Sequence, residues 1–227
     1  MIRRTTLLTA VLMVVLAASM FAQAQTKESQ AAITPSKALD MLKEGNARFL
    51  GGKMKPRDLN AKVVATATGQ YPFAAIVSCM DSRAPVEILF DQAIGDVFSL
   101  RVAGNVVDTN FLGSLEYAAK VVGVKLILVM GHTSCGAVKG AIDDVKLGNL
   151  TALLADIKPA IAAAGPPPGT SHDKAFVDRV AAANVRLAMR HVREGSAVIR
   201  EMLDSGKVGL VGGMYDVETG KATFFAD

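Results

Sequence analysis

The chain has 227 residues, 51% of them apolar, and a formal net charge of +4. That length suits one domain, and the apolar content supplies a sizeable buried core, which excludes a largely disordered chain. The small positive charge is not gathered into a patch, so nothing in it asks for nucleic acid as a partner. In chain order, residues 1–24 read as a cleavable signal peptide. Arg3 and Arg4 give a basic start, residues 7–16 form an uncharged apolar run, and Ala22-Gln23-Ala24 offers small residues for cleavage. The run falls short of the ~20 residues needed to span a bilayer. The expected mature protein is periplasmic or secreted, with no membrane contact once the leader is gone.

A polar linker, residues 25–34, precedes a domain spanning 35–227. Pro35 opens a helical pattern through Leu39, Leu42, Ala47 and Phe49, closed by Gly51-Gly52. Residues 73–79 form a continuous apolar run of strand length, and 97–102 a second. A helix over 112–122 stops at Gly123, and a third strand covers 125–130. Helices follow over 135–147 and 151–163, and Gly165-Pro166-Pro167-Pro168-Gly169 makes a loop. A long helix spans 174–203 with a break near Gly195, and residues 208–217 and 222–225 pair as strands. Apolar strands alternating with helices predict an α/β fold, a mainly parallel β-sheet core flanked by α-helices.

Chemistry in such sheets gathers beyond the carboxyl ends of the strands. Three groups fall there: Cys79-Met80-Asp81-Ser82-Arg83, Arg101 to Asn105, and Gly131 to Cys135. His132 and Cys135 are spaced His-x-x-Cys at a strand-to-helix turn, and Cys79 ends a neighbouring strand. Two thiolates and an imidazole form a set that zinc favours, with a fourth position left open for chemistry. Cys79 and Cys135 are the chain's two cysteines, so export also permits a disulfide between them. A histidine and an Asp–Arg pair placed alongside favour zinc.

These motifs resemble the β-carbonic anhydrases in order and separation: Cys79-x-Asp81-Ser82-Arg83, Arg101-x-Ala103-Gly104-Asn105 and Gly131-His132-x-x-Cys135-Gly136. The similarity runs from Glu44-Gly45-Asn46-Ala47-Arg48-Phe49 to Tyr215-Asp216. It implies one Zn2+ per chain on Cys79, His132 and Cys135, and reversible hydration of carbon dioxide to bicarbonate. Asp81 would orient the zinc-bound hydroxide, and Arg83 would hold Asp81 ionised and in place. Met80 is bulkier than the small residue common at its position. Gln70 and Gly136 would line the substrate pocket, and Phe98 and Tyr117 would reach it from the partner subunit of a homodimer or homotetramer. From this sequence alone, Phe98 and Tyr117 read as core residues. The resemblance favours an open site, with Asp81 a metal ligand only in a closed form. Gly104 and Asn105 shape the loop, and His172 and His191 have no partners in sequence. Two alternatives stay open: a hydrolase of a related small molecule, such as carbon disulfide, and a non-catalytic zinc-binding exported protein.

Overall fold

A computed structural model of the chain describes residues 24–225. All of the expected signal peptide but Ala24 lies outside the described residues. The strands are β1 (Ala74–Ser78), β2 (Val97–Arg101), β3 (Leu126–His132), β4 (Gly209–Tyr215) and β5 (Ala222–Phe225). They form one sheet in the order β2-β1-β3-β4-β5. The first four pair in parallel, and β5 runs antiparallel to β4. The helices are α1 (Lys27–Ala31), α2 (Pro35–Leu50), α3 (Leu59–Thr66), α4 (Val86–Leu89), α5 (Thr109–Glu116), α6 (Gly136–Ile142), α7 (Leu150–Ala163), α8 (Lys174–Gly195) and α9 (Ala197–Asp204). A π-helical stretch, Tyr117–Val122, continues α5. No helix among the described residues is long and apolar enough to cross a membrane.

Every residue of β1 and β3 is buried, because helices cover both faces of the sheet. Ala75, Val77, Ile127 and Val129 pack with Leu115 of α5, Val185 and Met189 of α8, and Ile199 of α9. Their neighbours Ala74, Ile76, Leu126 and Leu128 point the other way, against Ala38 and Leu42 of α2 and Val86 and Leu89 of α4. This two-sided burial is why the strands read as unbroken apolar runs rather than alternating ones. Side-chain oxygens start several of the helices: Thr34 accepts from Lys37 N, Asp58 from Ala61 N, Asp108 from Asn110 N, Asp173 from Phe176 N and Ser196 from Ile199 N.

Several elements differ from the expected ones. The stretch 25–34, expected as a linker, carries α1, started by a capping box between Thr26 and Ser29. Gln30 is buried there and donates Nε2 to Pro72 O at 2.7 Å, so α1 is fastened to the domain. The short helices α3 and α4 were not expected from the pattern. Val63 and Val64 of α3 are exposed, which leaves no regular apolar stripe to read. β3 runs two residues further than expected and ends on His132 itself. The break at Gly195 is present, with Ser196 starting α9.

Residues of α2 close the far side of the domain. A Cβ on Gly45 would lie 1.8 Å from Phe90 O, so only glycine allows this approach to the end of α4. Beside it, buried Asn46 donates Nδ2 to Leu89 O (3.1 Å) and Gly220 O (3.0 Å), and its Oδ1 accepts from Ala222 N (2.9 Å). One side chain thus joins α2, α4 and the β4–β5 hairpin. Asn46→Ala strands these backbone groups and is expected to cost about 2–4 kcal/mol in denaturant unfolding. A loss below about 0.5 kcal/mol, the range of ordinary surface substitutions, would refute this role.

Candidate metal centre

The parallel register sets the geometry of the site. Ser78 at the end of β1 lies opposite Met130 of β3, and His132 lies opposite Tyr215 of β4. Cys79 therefore leaves β1 beside the last turn of β3. The chain then reverses through Thr133 and Ser134, and Cys135 becomes the cap residue of α6. The donor atoms of Cys79, His132 and Cys135 lie within 4.8 Å of one another, and all three residues are buried. Both cysteines are free thiols.

The turn that carries two of these residues is tightly held. Ser134 has a positive φ of 56°, and its N–H donates to Asp178 Oδ1 of α8 at 2.8 Å. Lys174 pairs with the other oxygen of Asp178 at 2.9 Å. Thr133 N donates to Tyr215 O (2.9 Å), and Thr133 Oγ1 accepts from Val217 N (3.0 Å). On the other side, Arg101 donates to Cys79 O (3.1 Å) and Asp81 O (2.5 Å) and so braces the backbone between them. Gly104 N donates to Cys79 Sγ at 3.4 Å.

The donor set fits zinc on the state of its atoms. His132 Nδ1 lies 2.9 Å from Thr133 O. A carbonyl can only accept, so the ring proton sits on Nδ1 and leaves a lone pair on Nε2. That Nε2 is buried and has no hydrogen-bond partner, a costly state unless a Lewis acid occupies the space before it. A hydrogen bond between the Cys135 thiol and the Cys79 sulfur pulls Cys79 well down, against the effect of burial. The same bond, with burial, pushes Cys135 up. Metal binding needs both sulfurs as thiolates, so a bound divalent cation would release the proton remaining on the pair.

Asp81 and Arg83 form a two-pronged pair at the edge of this group. Arg83 Nε donates to Asp81 Oδ1 (2.9 Å) and Nη2 to Oδ2 (2.7 Å), while Arg83 N also donates to Oδ1 (2.9 Å). These bonds outweigh burial and hold the Asp81 carboxyl well below the usual carboxylate range. Asp81 Oδ2 stands 3.7 Å from His132 Nε2, beyond a hydrogen bond but next to the metal group. Met80 is 63% exposed, so its bulk is directed away from the three donors. Gly136 follows Cys135, with open space where a Cβ would be.

The single chain does not bring the other expected pocket residues to this group. Gln70 is an exposed residue upstream of β1, at the opposite end of the strand from Cys79. Phe98 pairs in register with Ala75, three positions short of the strand end, a drop of about 10 Å. Its ring lies 6.4 Å from that of Tyr117, which is 51% exposed. Conversely, Asp178, Asn184 and the bracing role of Arg101 were not read from the sequence. Asn184 did leave a signal: it is a polar residue at a core-facing position of α8, in helical step with Val177, Val180 and Ala188.

The family model described as carbonic anhydrase matches residues 74–222. Carbonic anhydrase 2 of Mycobacterium tuberculosis is 38% identical over 193 residues, which cover 83% of this chain and 91% of that protein. The carbonic anhydrase of Mycolicibacterium smegmatis is 36% identical, with 82% and 91% covered. Among solved structures, a tetrameric β-carbonic anhydrase of Sordaria macrospora superposes with a TM-score of 0.64 at 29% identity, covering 71% of this chain and 84% of its own. A β-carbonic anhydrase of Aspergillus fumigatus gives 0.66 at 26% identity, with 84% and 89% covered. With the sheet order, the metal group and these matches together, the chain belongs to the β class of the carbonic anhydrase family.

Proposed function

We propose that Cys79, His132 and Cys135 hold one zinc ion per chain, and that Asp81 and Arg83 serve the reversible hydration of carbon dioxide beside it. The family carries out this reaction, and one arrangement supports the assignment of roles: three buried donors within 4.8 Å of one another, bordered by a fully paired Asp–Arg dyad. When bound, zinc acts as a Lewis acid and makes a water-derived nucleophile available near neutral pH.

The chain's own groups do the rest. Asp81 is acceptor-only while ionised, so it can take a hydrogen bond only from the proton of the attacking oxygen and leaves that oxygen's lone pair turned outward. Arg83 keeps Asp81 ionised and fixes its plane through the two parallel bonds. With both carboxylate oxygens occupied by Arg83, Asp81 rests on the dyad, which is the open arrangement. The space at Gly136 leaves room for an uncharged linear substrate. Gln70 serves as a pocket residue, and Phe98 and Tyr117 reach the pocket from the partner subunit of a homodimer or homotetramer. Their exposure or placement on the unpaired edge beside β2 supports this, as does the tetrameric state of the Sordaria macrospora protein. Residues 1–24 act as a removable leader, and the mature enzyme works in the periplasm or outside the cell.

Stopped-flow measurement of carbon dioxide hydration tests the reading. Treatment with a zinc chelator abolishes turnover, and added zinc restores it; turnover that survives complete metal removal contradicts the assignment. Asp81→Asn is expected to retain about one zinc per chain while kcat falls at least about 100-fold. Near-normal turnover in that variant removes Asp81 from the mechanism. Sedimentation of the native enzyme is expected to give a dimer or tetramer mass. A fully active monomer would contradict the shared pocket.

A further inference from the structure

Asn184 is 2% exposed and lies among buried Val180, Ala181, Val185 and Ala188 of α8. An amide in such surroundings destabilises the fold unless it is hydrogen-bonded. Its Nδ2 donates to Gly104 O at 2.7 Å, across 80 positions of sequence. Gly104 in turn directs its own N–H at Cys79 Sγ, 3.4 Å away. The loop has no slack at this residue. Gly104 has φ +67°, and a Cβ there would come within 2.5 Å of Ile157 Cδ1. One glycine is therefore gripped through its carbonyl by α8 and offers its N–H to a sulfur of the metal group.

We infer that Asn184 is a positioning residue of the metal centre, acting through Gly104 to keep an N–H donor on the Cys79 sulfur. This inference rests on the assignment of Cys79 as a zinc ligand. A hydrogen bond to a thiolate withdraws charge from the sulfur and fixes its direction, so it tunes what the ligand donates to the metal. Loss of the Asn184 amide frees the Gly104 carbonyl, and the peptide that faces Cys79 turns with it. The change reaches the metal without any alteration of the three ligands.

Zinc competition against a chelator and cobalt(II) titration, on the full-length mature protein, test the link. Asn184→Leu keeps the branched shape without the donor, and Asn184→Ser keeps a hydroxyl too short to reach Gly104. Both variants are expected to lose about 10–100-fold in zinc affinity, with a shifted thiolate-to-cobalt charge-transfer band. Asn46→Ala, a destabilising change away from the site, should keep the wild-type band and affinity. Unchanged affinity and band in both Asn184 variants, or an equal loss in Asn46→Ala, overturns the inference alone. A wild-type chain that binds neither zinc nor cobalt overturns the metal centre and this inference with it. The wild-type protein loaded with cadmium-113 reads the first link without any substitution. Scalar coupling between the Gly104 amide proton and the metal supports it, and absence of that coupling overturns it.

Discussion

The parallel pairing of β1 with β3 assembles the metal-binding group. With Ser78 fixed opposite Met130, the residues after each strand emerge side by side at the same end of the sheet. Cys79 leaves one strand, His132 terminates the other, and the turn to α6 returns Cys135 to the same point. A slip of one residue in either strand would turn its ligand to the opposite face of the sheet. Close packing on both faces opposes that slip, because every residue of the two strands is buried. The core thus does more than stabilise the fold. It sets the register that brings three donors together.

The second physical theme is charge in a buried place. Two thiolates and an imidazole cannot sit together in a low-dielectric interior without compensation. The chain supplies it in layers. Gly104 N–H faces Cys79, and the N–H groups of Ala137 and Val138 face Cys135. Thr133 O fixes the tautomer of His132. A bound divalent cation would complete the balance, and its binding energy would then count toward folding. Asp81 adds one more negative charge at the border, which Arg83 neutralises through three N–H donors. Because both partners are reached from the solvent side, the dyad can face substrate while the ligands stay enclosed.

Much of this was legible in the sequence, for identifiable reasons. β1 and β3 are buried on both sides, so their apolar runs are continuous and bounded, and the ligands follow directly at their ends. The Asp81–Arg83 pair lies two residues from a ligand, and so local spacing exposes it. What escaped notice depends on tertiary contact. Asp178 reaches Ser134 across 44 positions, and Asn184 reaches Gly104 across 80. No local pattern marks the first, and only a polar interruption of a helix face marks the second. The helices α3 and α4 escaped because one exposes its valines and the other is a single turn. The stretch before Pro35 looks like a linker because its residues are polar. Yet Gln30 is buried through a bond to Pro72, which lies 42 positions away. Gln70, Phe98 and Tyr117 stand out by family resemblance alone; within one chain Phe98 packs on the core with its ring near Tyr117.

X-ray absorption at the zinc edge of the native, zinc-replete enzyme reads the atoms around the metal themselves. The proposed centre requires two sulfurs at ~2.3 Å and two lighter atoms at ~2.0–2.2 Å around each metal, one of them imidazole nitrogen. A shell without sulfur, or active native protein in which Cys79 and Cys135 are joined to each other, would contradict it.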